Sequence, residues 1–114
     1  MVSLIKNQRE TDEQDKSFKG NMKHEEIVET IRSTLKSYGI TEAYIFGSFA
    51  RRARRYHDID VAIEPPDAKF SLLDLVGVEQ ELEDELGKKV DVVIYRSLKP
   101  RLKAHVDKDL TAIL

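Results

Sequence analysis

The sequence predicts a small α/β (α+β) domain, a mixed sheet of about three strands flanked by about four helices. Three observations carry this prediction. Apolar residues recur at helical spacing in separate stretches, and Gly39 and Gly87 stand where two of those stretches stop. Short β-prone runs, AYIF, DIDVAIE and VDVVIY, fall between them. The last two runs enclose a helix, and a strand, a helix and a strand in succession imply a right-handed crossover with the two strands parallel in one sheet. A chain of 114 residues, 40% hydrophobic and 35% charged, has room for one such domain with a modest core, expected over residues 22–114.

Composition narrows the chemistry. The absence of cysteine excludes a disulfide framework and thiolate metal sites, and three scattered histidines make no zinc cluster. The net charge of -2 hides a segregated pattern, with Arg51, Arg52, Arg54 and Arg55 together and Asp74, Glu79, Glu81, Glu83, Asp84 and Glu85 gathered later. No apolar run approaches the roughly 20 residues of a membrane span, and the N-terminus lacks the apolar centre of a signal peptide, so a cytoplasmic protein without membrane contact is expected.

Residues 1–21 contain SLI, are otherwise mostly polar and charged, and show no sustained period, which reads as a disordered N-terminal extension. From Lys23 to Tyr38, Ile27, Ile31, Leu35 and Tyr38 recur at helical spacing and Val28 widens the stripe. Ile40 to Phe46 reads as a strand ended by Gly47 and Ser48, after which Phe49, Ala50 and Ala53 share one side of a short helical segment. A strand passing through Gly-Ser into a helix start aims unpaired N–H groups and the positive helix end at one spot, which favours an anion. Gly47 offers no Cβ to obstruct close approach, and Ser48 can cap the helix or donate its hydroxyl to a phosphate oxygen. An ordinary turn with an N-cap serine is the plain alternative.

In the next strand Ile59, Val61 and Ile63 alternate with Asp58, Asp60 and Ala62, so both carboxylates project from one face, roughly 7 Å apart along the backbone. Two acids on one strand face repel each other unless something compensates. A Mg²⁺ site resolves the conflict with hard oxygen ligands, while a wet strand face that carries acids is the bland reading. After Pro65 and Pro66, Ser71 and Asp74 form a capping box, and Leu75, Val78, Leu82 and Leu86 mark a buried stripe ending at Gly87. Asp91 then interrupts Val90, Val92, Val93 and Ile94, and the crossover can lay it beside Asp58 and Asp60. Three acids on adjacent strands opposite a glycine-serine anion site fit two-metal nucleotidyl transfer, in which cations about 3.5–4 Å apart clamp the attacking and leaving oxygens. The tail from Ser97, with Pro100 in a first turn and Leu102, Val106, Leu110 and Ile113 at helical intervals, predicts a closing helix, with His105 structural or exposed rather than a ligand.

Gly47-Ser48-Phe49-Ala50-Arg51, then Asp58-Ile59-Asp60-Val61, then Asp91 on a later strand, resembles the minimal nucleotidyltransferases (MNT proteins) of the DNA polymerase beta superfamily, from about Met22 to the C-terminus. The resemblance implies the nucleotidyltransferase fold. It implies that Asp58 and Asp60 bind two Mg²⁺ ions, that Asp91 completes the triad and helps activate the acceptor hydroxyl, and that Gly47, Ser48 and Arg51 hold a nucleotide triphosphate. Members are commonly paired, as antitoxins, with a helical HEPN toxin, and some transfer AMP from ATP to a tyrosine of that toxin. An enzyme acting on a protein hydroxyl is therefore expected, with a catalytically inactive MNT-fold protein that neutralises its partner by binding as the alternative. The chain departs from the family pattern at Arg52, where glycine is usual, and at His57, where serine usually precedes the first aspartate. The RRARR run, from Arg51 to Arg55, is open to a solvated reading, to contact with an RNA backbone or to electrostatic steering of ATP. Without interleaved stacking aromatics it does not support sequence-specific nucleic-acid binding.

Overall fold

The computed structural model describes residues 22–56 and 58–114, so the extension expected over residues 1–21, and His57, lie outside the described residues. Helix α1 (His24–Ser37) is followed by strand β1 (Ala43–Phe46), the single turn α2 (Gly47–Ala50), strand β2 (Asp58–Ile63), helix α3 (Leu72–Leu86), strand β3 (Lys89–Ile94), a 3₁₀ turn (Tyr95–Ser97), helix α4 (Pro100–Asp107) and the two-residue strand β4 (Thr111–Ala112). The sheet order is β3-β2-β1-β4. β1 runs antiparallel to β2 and to β4, whereas β2 and β3 are parallel, as the crossover through α3 requires.

Each helix boundary has a local cause. Lys23 precedes α1, with its backbone N–H donating to the Glu26 carboxylate at 2.9 Å, and Gly39 takes the positive φ just beyond the helix end. At α3, Ser71 Oγ accepts from the Asp74 N–H at 3.3 Å while the Ser71 N–H donates to the Asp74 carboxylate at 2.8 Å, closing the anticipated capping box. Gly87 ends α3 in the left-handed conformation.

One face of the sheet is the core. Ala43 and Ile45 of β1, Ile59, Val61 and Ile63 of β2, and Val90 and Val92 of β3 are buried with Ile27, Ile31 and Leu35 of α1 and Val78, Leu82 and Leu86 of α3. Strand alternation sends Tyr44, Phe46, Asp58, Asp60, Lys89 and Asp91 to the opposite face. Two polar contacts tie α1 to α3: Thr34 Oγ1 donates to Glu85 at 2.5 Å, and the Tyr38 hydroxyl donates to Glu81 at 3.0 Å. Glu81 and Glu85 of the acidic stretch are thus engaged by α1 and the residue that follows it while remaining exposed to solvent.

The C-terminus corrects the expected closing helix. Helix α4 stops at Asp107, Leu102 is 50% exposed rather than part of a buried stripe, and Thr111 and Ala112 pair with Ile45 and Tyr44. The free edge of β1 explains this, because the chain satisfies it with backbone hydrogen bonds from Ile113 and Leu114 to the Ala43 carbonyl at 2.9 and 3.3 Å. His105 is exposed.

Candidate active site

The site begins at the junction of β1 and α2. Gly47 has φ 74, a conformation that costs residues with a Cβ, and a Cβ built there would lie 2.5 Å from Oδ2 of Asp60. The glycine thus lets the turn close onto the carboxylate. Phe46, in extended conformation, occupies the N-cap position without a side-chain cap bond, so Ser48 lies inside the turn and does not cap it.

Sheet register places the aspartates. Asp60 is directly beside Asp91 across the parallel β2–β3 pair, and Asp58 is two residues before Asp60 on the same face. All three are half-buried. The Asp60 carboxyl is pushed above its ordinary range by burial first, then by the negative charges of Asp91 and Asp58. Asp60 therefore feels repulsion from both of its acidic neighbours on this face. Among the described residues no three His, Cys, Asp or Glu side chains form a metal cage by themselves. Hard oxygen donors under mutual repulsion, beside a cleared approach at Gly47, nevertheless suit a Mg²⁺ ion that takes its other ligands from substrate phosphates and water.

Lys89 is the residue that sequence reasoning missed. It pairs in register with Asp58 and shares the face of the carboxylates, which puts a cation at the end of an acidic row. Its position in the strand was visible in the sequence, but its neighbour depends on register. Arg51 points elsewhere, its guanidinium donating to Asp109 at 2.7 Å. Arg52 has φ 60, the only positive φ outside glycine among the described residues, and donates to Glu25 at 3.3 Å. Arg54 and Arg55 are exposed. Behind the turn, Phe49 is buried, its ring stacked on His24 with centroids 4.4 Å apart and meeting Tyr56 edge-on at 5.1 Å. This aromatic cluster anchors α2 to α1.

A mixed sheet with helices on one face and an acidic row facing a glycine turn on the other is the arrangement of a nucleotidyl-transferring enzyme. The chain belongs to the polymerase beta nucleotidyltransferase family, whose pattern it matches over residues 29–114. It is 42% identical over 90 residues, 78% of this chain and 96% of the relative, to a Methanocaldococcus jannaschii protein provisionally named protein adenylyltransferase MJ0435. It is 31% identical over 77 residues, 67% of this chain and 77% of the relative, to protein adenylyltransferase MntA of Thermococcus cleftensis. Among solved structures, one provisionally described as a minimal nucleotidyltransferase superposes with a TM-score of 0.66 at 31% identity, covering 79% of this chain and 95% of that one. A chain in the complex of a tri-AMPylated Shewanella oneidensis HEPN toxin with its MNT antitoxin shares the fold, with a TM-score of 0.66 at 23% identity, covering 81% of this chain and 72% of that one.

Proposed function

We propose that this protein transfers AMP from ATP to a hydroxyl group of a partner protein, and that the partner is a HEPN-type toxin for which it serves as antitoxin. The observation that carries the chemistry is the apposition of Gly47 to Asp60, with Asp91 in register beside Asp60. The acceptor reading is supported by the names of the relatives, which are protein adenylyltransferases, and by the MNT–HEPN complex among the structures of like fold.

In this reading Asp58 and Asp60 hold Mg²⁺, with Asp91 completing the set. Bound Mg²⁺ supplies charge neutralisation at the α-phosphate and the leaving pyrophosphate. The chain's own residues do the rest. Gly47 keeps the approach to Asp60 clear, and the N–H groups of the turn at Gly47 and Ser48 receive phosphate oxygens. Asp91 receives the proton of the acceptor hydroxyl. The acceptor oxygen bonds to the α-phosphorus, the α–β anhydride bond breaks, and pyrophosphate departs in line. Arg51 joins the triphosphate by exchanging its Asp109 partner for it.

The test is incubation with ATP labelled in the α-phosphate, Mg²⁺ and the protein encoded by the neighbouring gene. Label on that protein with wild type, and none with Asp58→Ala/Asp60→Ala, is the expected result. A tight complex without label transfer would overturn catalysis in favour of neutralisation by binding.

A further inference from the structure

The outer edge of β3 is not bare. The N–H of Val90 donates to Oε2 of Glu83 at 3.1 Å and the N–H of Val92 donates to Oε2 of Glu79 at 2.9 Å, both bonds partly buried. The pitch of the two elements makes this possible. Four residues of α-helix advance about 6 Å and two residues of strand about 6.6–6.8 Å, so carboxylates one helical turn apart reach alternate outward-facing N–H groups. The match ends at the next turn, where α3 offers Leu75, which has no acceptor. Val90 and Val92 are the residues on either side of Asp91. Asp91 in turn stands directly beside Asp60 in the β2–β3 register, and among the described residues β3 is the terminal strand of the sheet, with no strand on its outer side.

We propose that Glu79 and Glu83 are positioning residues that clamp the backbone around Asp91 and hold its carboxylate beside Asp60 against their mutual repulsion. The inference rests on the reading of Asp58, Asp60 and Asp91 as one site. Without the clamp, an edge strand bearing a repelled carboxylate relaxes by fraying outward, and the row loses its spacing. Charge-assisted bonds to two backbone donors resist that movement.

The experiment measures Mn²⁺ binding to the full chain by water-proton relaxation, alongside hydrogen exchange of the Val90 and Val92 amides. Glu79→Leu/Glu83→Leu is expected to weaken Mn²⁺ binding by about tenfold or more, the scale on which outer groups that orient metal ligands act. It is also expected to speed exchange at both amides. Glu79→Gln/Glu83→Gln, which keeps an acceptor oxygen at each position, is expected to restore most of the affinity. Thr34→Val/Tyr38→Phe, which removes the polar ties between α1 and α3, provides a variant loosened elsewhere and should leave Mn²⁺ affinity unchanged. The single leucine variants give the same comparison should the double one not fold. Unchanged Mn²⁺ affinity in folded leucine variants overturns the clamp, as does an equal loss in Thr34→Val/Tyr38→Phe. Failure of wild type to label any acceptor, with the clamp effect on Mn²⁺ intact, overturns the adenylyl-transfer reading and supports the clamp.

Discussion

Oδ2 of Asp60 lies 2.5 Å from the point that a β-carbon at position 47 would occupy, so Gly47 and Asp60 define each other's conformation. Gly47→Ala adds a methyl group that the carboxylate must vacate and forces alanine into φ 74. The expected cost is about 1–3 kcal/mol in urea denaturation, from left-handed strain alone. Transfer activity is expected to fall at least about a hundredfold, the scale of a misplaced reacting group. Full activity in a folded Gly47→Ala protein would remove the turn from the site.

Asp60 titrates with a folded-state value raised above its ordinary 3.8 by burial and then by Asp91 and Asp58. The native state therefore holds the proton more tightly than the unfolded chain. This contribution to stability is fully present below pH 3.8 and is lost as pH rises through the folded value. Asp60→Asn removes the penalty. Without divalent metal at pH 7, its Tm is expected to exceed wild type by about 1–3 °C, a modest gain because the group is half-exposed. The advantage should fade in acid and shrink when Mg²⁺ is added. A lower Tm for Asp60→Asn at pH 7 would contradict the assigned repulsion.

His24 has the opposite sign. Burial against Phe49 and the nearby Arg52 charge lower its value below 6.5, outweighing the pull of Glu25. The stability tied to its neutral form is present above pH 6.5 and is lost as pH falls through the folded value. His24→Phe keeps a ring on Phe49 and is expected to flatten the decline in Tm below pH 6.5. An unchanged acid limb would place that titration elsewhere.

Arg52 occupies backbone that glycine adopts without strain, φ 60, and its ion pair to Glu25 joins side chains that are 62% and 72% exposed, so the pair contributes little. Arg52→Gly is expected to be neutral or stabilising by up to about 1 kcal/mol, while Arg52→Val costs about 1–2 kcal/mol. Urea midpoints at equal m-value decide the order. Glycine less stable than valine would show that the side chain, not the backbone, governs this position.

The parts of the site that depend on local pattern were legible in the sequence. The alternation of DIDVAIE puts Asp58 and Asp60 on one face, the capping box at Ser71 and Asp74 bounds α3, and the crossover brings Asp91 to the neighbouring strand. Features set by pairing were not. Lys89 gains its meaning from lying opposite Asp58, and Glu79 and Glu83 look like solvated acids until the outer edge of β3 is seen. Leu110 and Ile113 fit a helical period, yet the free edge of β1 draws the adjoining Thr111 and Ala112 into a strand. The left-handed backbone at Arg52 has no signature in arginine itself.

The parallel pairing of Asp60 with Asp91 has a kinetic consequence. A hairpin could bring two acids together early, but these two meet only after the chain has travelled through all of α3 and returned. Closing such a long loop is slow relative to forming the helix within it. On refolding, helical signal is expected to recover before metal affinity does. A chain still emerging from the ribosome holds the glycine turn and the first two aspartates without the third, so under the proposed function it becomes competent only when β3 has been made and docked.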